Sequence, residues 1–251
     1  MRTLNGRLLL SVLLIAIFGC PAAEQPVEPT PDELQQEYDA AVLDAATADA
    51  GEISRDLTAI TADNPDLIWL GAPGSGGVLM VTWTSWDGYA QAVGESMVLT
   101  QDVWVTAAPQ VQDFCVADGL TGEDQTLRLE QLLGLPPNDG KTTFAELWVK
   151  PADLFRPSAD PEITDHEAGL VFPSVTDFLT VSQTFINWFD ALIASSYGED
   201  GYPWTRLGYT YDWGNDESEV GVSEFVIRSG ATVVVRGTYS TEDYCAASGG
   251  Q

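Results

Sequence analysis

The chain has 251 residues, with 38 acidic against 10 basic side chains and a formal charge of −28 at neutral pH. A surface this acidic repels the phosphate backbone, which argues against nucleic-acid binding. Lys141 and Lys150 are the only lysines, and the acid excess fits a solvated surface, adaptation to salty water or cation binding.

Residues 1–19 read as a signal peptide. Arg2 and Arg7 form a positive n-region, and "LLLSVLLIAIF" is an apolar stretch too short for a typical membrane span. The following "IFGC" resembles the lipobox of bacterial lipoproteins, which implies lipidation of Cys20 and a membrane anchor on the exported side. Ile17, Gly19 and Cys20 fit that pattern, whereas Phe18 is larger than the usual residue and leaves ordinary cleavage after Ala22 open. Acyl chains, at roughly 0.8 kcal/mol per buried CH₂, would hold the protein at a membrane. Residues 1–19 carry two of the 10 basic residues and no acidic one, so the chain beyond them has 8 against 38. Residues 20–31 form an acidic, proline-rich tether too poor in large apolar residues to fold.

The globular part is expected over residues 32–251. Thr30, Pro31 and Glu33 supply an N-cap, an N1 proline and a capping-box acid. Leu34, Tyr38, Ala41, Val42 and Ala45 then recur at helical spacing to about Ala50. A second helical piece is predicted with Ile53, Leu57 and Ile60 on one side. "LIWL" and "VLMVTWT" flank "GAPGSGG" as a buried hairpin, and "DVWVT" and "AELWVK" read as further strands. Thr121 caps a helix running to Gly134, ahead of Pro136 and Pro137. The spacing predicts a longer helix from about Ser182 to Ser196, with Phe185, Trp188, Phe189 and Leu192 on one stripe. "SEFVI" and "TVVVRGTY" around "RSGA" suggest a closing hairpin. The irregular alternation points to one α+β domain, a mainly antiparallel sheet packed against a few helices. Cys115 and Cys245 remain as an even pair in an exported chain and are expected to form a disulfide, with two separate buried thiols as the alternative.

"GYPWTRLGYTYDWG", residues 201–214, holds five aromatic rings. Read as a strand from Trp204, it places Leu207, Tyr209, Tyr211 and Trp213 on one face, packed on the 182–196 helix. Trp204, Arg206 and Asp212 fall on the other, beside small Gly208 and Thr210, as a candidate ligand groove. Such rings serve sugars and cations as readily as they fill a core.

The segments "VLMVTWTSWDGY", "VWVTAAP", "LRLEQLLGLPP", "DLFRPSADPEI" and "YPWTRLGYTYDWG" together resemble a group of uncharacterised exported bacterial proteins, over most of the chain after about Asn64. The resemblance implies one intact domain and brings no activity, substrate or catalytic residue with it.

Catalytic motifs fail mainly by substitution. In "GAPGSGGV", Gly77 and Val78 occupy the lysine and hydroxyl positions of a P-loop, and Pro73 breaks a GxSxG elbow around Ser75. His166 is the only histidine, so no two-histidine zinc motif exists; it remains a candidate base, although "TDHEAG" reads as an exposed loop. Carboxylates are abundant. Glu146 in "FAELWVK" is a candidate acid, because a carboxylate in an apolar strand is perturbed if buried. "DWGNDESE" gathers Asp212, Asn215, Asp216 and Glu219 as possible calcium oxygens, without the spacing of an EF-hand. The expectation is an exported, lipid-anchored envelope protein, a binding module for a glycan or an envelope protein and without evident catalytic motif. The alternative is a carboxylate-dependent glycan hydrolase, which needs two acids about 5–9.5 Å apart flanked by aromatic rings.

Overall fold

The computed structural model describes residues 29–174, 181–198 and 200–246. The signal segment, Cys20 and residues 21–28 of the tether lie outside the described residues. The first helix, α1 (Pro31–Ala45), starts with the expected capping box: Thr30 Oγ1 accepts from Glu33 N, and the Glu33 carboxylate accepts from Thr30 N at 2.7 Å. Its buried stripe is Tyr38, Ala41, Val42 and Ala45. The helix stops at Ala45, about five residues before the expected end.

The next segment departs from the sequence reading. No helix forms over Ile53–Ile60; the backbone is irregular, and its donors go to residues far along the chain. Leu57 N donates to His166 O, Ile60 N to Ile163 O at 2.7 Å, and Thr58 N to Ser223 Oγ at 2.7 Å. Arg156, wholly buried, donates to Thr58 O, Asp165 O, Asp165 Oδ1 and Glu167 O. Ile53, Leu57 and Ile60 therefore bury themselves through tertiary pairing, and helical spacing alone was misleading.

The sheet consists of β1 (Trp69–Leu70), β2 (Gly77–Thr84), β3 (Ser96–Val98), β4 (Val103–Ala107), β5 (Thr143–Val149), β6 (Leu154–Phe155), β7 (Tyr209–Tyr211), β8 (Val220–Ile227) and β9 (Thr232–Ser240). The order is β3-β9-β5-β2-β4-β8-β6, with β1 on β2, β7 on β8 and every pairing between named strands antiparallel. The fold is therefore α+β, as expected, and β1 and β2 form the expected hairpin, but β1 is not buried: Trp69 is half-buried and Leu70 exposed.

The closing hairpin is overturned. β8 pairs with β4, β6 and β7, β9 pairs with β3 and β5, and three strands stand between them. In a flat sheet four strand spacings amount to about 19 Å. The five residue steps from Ile227 to Thr232 reach at most about 18 Å, and this connection also turns at Gly230, where φ is 86°. The sheet must therefore curl. Val78, Met80, Val105, Leu147, Phe225, Ile227, Val233 and Val235 fill one face of the curl.

The helices sit on the other face: α2 (Gln110–Asp118), α3 (Gly122–Leu132), α4 (Gln183–Ser196) and α5 (Thr241–Ala246). The Cys115–Cys245 disulfide joins α2 to α5. Around it, Phe144 stacks on Tyr244 at 4.3 Å and on Trp83 at 5.6 Å, with Leu79, Val111 and Leu129 in the same cluster. The α4 stripe packs elsewhere on this face. Phe185 and Trp188 meet Phe155 edge to face, and Phe189 meets Trp204 at 5.0 Å.

Candidate functional site

Between the end of α4 and the end of α3 the helical cover is open. The opening is a cleft of about 620 Å³, within the range that holds small-molecule ligands. Its floor is set by register. Val81 on β2 faces Thr106 on β4, and Thr106 faces Glu224 on β8, so all three project from the same face of the sheet. Trp83 and Trp104 continue the floor. Leu192, Ser195 and Ser196 of α4, the 200–204 loop and Leu133–Leu135 form the walls, with Trp86, Tyr89 and Lys141 at one side.

Trp204 is fixed as a wall: its Nε1 donates to Pro157 O at 2.9 Å, Tyr197 Oη donates to its carbonyl at 2.6 Å, and its ring meets Trp104 edge to face. These contacts hold a rigid aromatic surface over the floor.

Glu224 sits between Val222 and Val226 in strand alternation. It lines the cleft and is half-buried, and the protein packed around it pushes its carboxyl well above the usual carboxylate range. Among the described residues, none donates a hydrogen bond to that carboxyl. Beside it, the Thr106 hydroxyl is buried and likewise without a partner. Lys141 lines the cleft but is engaged in an ion pair with Asp139. The remaining charged lining residues, Asp102 and Asp200, are acids. Buried polar groups in folded proteins are ordinarily satisfied, so a buried hydroxyl without a partner beside a desolvated carboxyl at a cleft is exceptional.

The structure does not bring the residues singled out from sequence together. Trp204 lines the cleft. Asp212 is buried and accepts a two-pronged contact from Arg128 at 2.7 and 2.8 Å, so its oxygens are spent inside the protein. Arg206 donates to the carbonyls of Ala45 and Ala46 at the end of α1, with its guanidinium over the Tyr197 ring. Alternation from Trp204 fails because Arg206 and Gly208 adopt φ of 61° and 76°, and the strand is confined to Tyr209–Tyr211. Tyr211 is consequently half-buried and donates to Asp44.

Glu146, left open between a buried and an outward position, is buried, and it pairs with Arg236 at 2.7 Å. It lies in the same row as Val81, Thr106 and Glu224, three strand spacings from Glu224. That is about 14 Å at the backbone. Arg236, on β9, draws Glu146 toward the strand farther from Glu224, so these two acids do not make the pair a glycosidase needs. His166 is exposed, and its Nδ1 donates to Leu57 O at 2.7 Å, away from the cleft lining. Around Asp212, Asn215, Asp216 and Glu219 there is an open groove against α1, but among the described residues no three acids, histidines or cysteines converge as metal ligands. Glu224 was not singled out from sequence, although "SEFVI" carries the same signal as Glu146, an acid alternating with apolar residues.

No family model matches the chain, nor does any curated protein or solved structure.

Proposed function

We propose that this is an exported, lipid-anchored envelope protein that binds a small ligand in the cleft above Glu224. The signal-like N-terminus and the "GC" step at Cys20 support export and anchoring. The Cys115–Cys245 disulfide supports an oxidising compartment. The observation that carries the binding reading is the enclosed Glu224 carboxyl, without a protein donor among the described residues, on the floor of an aromatic cavity. A glycan hydrolase is the second reading, favoured by the same carboxyl, since a raised carboxyl beside aromatic rings is what a general acid requires. Its second acid would have to be Asp102 or Asp200.

Two measurements test the proposal. Cys20→Ser should release the protein from membranes, and unchanged membrane partition and mass would overturn the anchor. In the cleft, a panel of small molecules should yield saturable changes in tryptophan fluorescence that Trp104→Ala diminishes, without Glu224-dependent turnover of any glycan. Glycan cleavage lost in Glu224→Gln would replace binding by hydrolysis.

A further inference from the structure

We propose that the cleft receives a small organic cation, an amine or guanidine with an apolar body, whose charged head meets Glu224 at the floor. This rests on the reading of the cleft as a ligand site and adds the chemistry of its occupant.

Three independent features select a cation. The first is hydrogen bonding: Glu224 lacks a donor among the described residues, and the buried Thr106 hydroxyl next to it has no partner. An N–H head group supplies the donor that Glu224 lacks, whereas an anion would set like charge against that carboxylate. The second is the lining. Trp83 and Trp104 in the floor and Trp86, Trp204 and Tyr202 around it make the lining aromatic, and aromatic rings attract cations. The third is the field. The charged lining is Glu224, Asp102 and Asp200 against Lys141, which Asp139 neutralises, in a chain of formal charge −28. A cavity of about 620 Å³ exceeds the need of a bare ion and fits a molecule with an apolar body. The source is a free small molecule, which a cavity of this size holds whole.

Binding should be linked to a proton. Glu224 must be ionised to pair with the cation, so affinity rises with pH through its raised folded range, by up to about tenfold per pH unit. The other titratable groups facing this floor are Asp102 from the start of β4, Asp200 and Tyr202 from the loop, Lys141 with Asp139, Tyr211 from β7, Tyr197 from the end of α4, and Tyr89. Burial raises all four tyrosines, Tyr197 to about 12, so they stay neutral across this window.

The test uses the full chain in detergent and three probes of similar shape: phenethylammonium, 2-phenylethanol and phenylpropionate. Tryptophan fluorescence reports binding. Phenethylammonium should bind about tenfold or more tighter than 2-phenylethanol at pH 8, and phenylpropionate weakest. The preference and its pH dependence should vanish in Glu224→Gln, which keeps the shape of the side chain and whose fold is checked by near-ultraviolet circular dichroism. Equal binding of ammonium and alcohol, or an ammonium preference that survives Glu224→Gln, would overturn the cation while leaving the cleft as a ligand site. No saturation by any of the three at millimolar concentration, and no Glu224-dependent binding of hexalysine, would overturn both readings. Hexalysine is the remaining arm: it should bind the acidic surface in a salt-sensitive, Glu224-independent way. If only hexalysine bound, and did so through Glu224, the free small molecule would be wrong and the source would be a protein side chain.

Discussion

Glu146 and Glu224 occupy the same row on the same face of one sheet, yet the two halves of that face treat them differently. Around Glu146 the sheet is closed: α2 and α5, joined by Cys115–Cys245, cover Phe144 and Leu79, and Arg236 on the neighbouring strand answers the charge. Around Glu224 the helices part, the register partner is Thr106, and no counter-charge arrives from the described residues. An identical local pattern, an acid alternating with apolar residues, thus becomes a structural ion pair on one side and, on the other, a carboxyl without a protein donor among the described residues. What decides is the residue one strand away, and that neighbour is set by topology.

The disulfide should have the largest effect, because it secures the closed half alone. It bridges 130 positions, and its loss should cost about 3–5 kcal/mol in the chain-entropy picture. Reduction, or Cys245→Ser, should shift the denaturation midpoint accordingly and raise amide exchange in α5 before the strands under the cleft. An unchanged midpoint would mean that the closed half does not depend on this link.

Next comes the ion pair. Arg236→Met leaves Glu146 buried without its partner and should cost about 2–4 kcal/mol, less than a fully buried pair because the Arg236 side chain is 36% exposed. Adding Glu146→Gln should restore most of that stability. A neutral Arg236→Met would show that solvent, and not Arg236, serves Glu146.

Glu224 should behave in the opposite sense. Its folded carboxyl holds a proton more tightly than the unfolded one, so stability should fall as pH rises from the unfolded value near about 4.3 through the raised folded range. Glu224→Gln should remove that fall: it should match the wild type near pH 4 and exceed it at pH 8 in urea unfolding. Less stability than the wild type at pH 8 would reveal a donor to the carboxylate. The smallest effect belongs to Thr106→Val. Replacing an unpartnered buried hydroxyl by a methyl should change stability by less than about 1 kcal/mol, in either direction.

The residues reveal local structure better than they reveal neighbours. The capping box at Thr30 and Glu33, the stripe of α4 behind Ser182 and the Cys115–Cys245 pair are all legible, because each rests on short spacing or on a count. The helix expected at Ile53–Ile60 fails because distant backbone groups at Ile163 and His166 compete for the same donors. The β8–β9 hairpin fails because "RSGA" marks a turn without saying which strand comes next. In the candidate site, Trp204 lines the cleft, although the strand alternation that singled it out does not hold. Asp212 and Arg206 do not, since Arg128 and the α1 carbonyls reach them across 84 and 160 or more positions. Glu224 carries a readable signal, but its significance depends on an absent counter-charge that only the sheet order exposes.

The most direct test of an unpaired carboxyl beneath an open cleft is a carbon-13 NMR titration of the glutamate side-chain carboxyls in the full chain, with Glu224→Gln assigning the resonance. Glu224 should titrate well above the ordinary carboxylate range, and its midpoint should fall when phenethylammonium is added. A Glu224 carboxyl that titrates within the ordinary range, unmoved by the ammonium, would contradict the account.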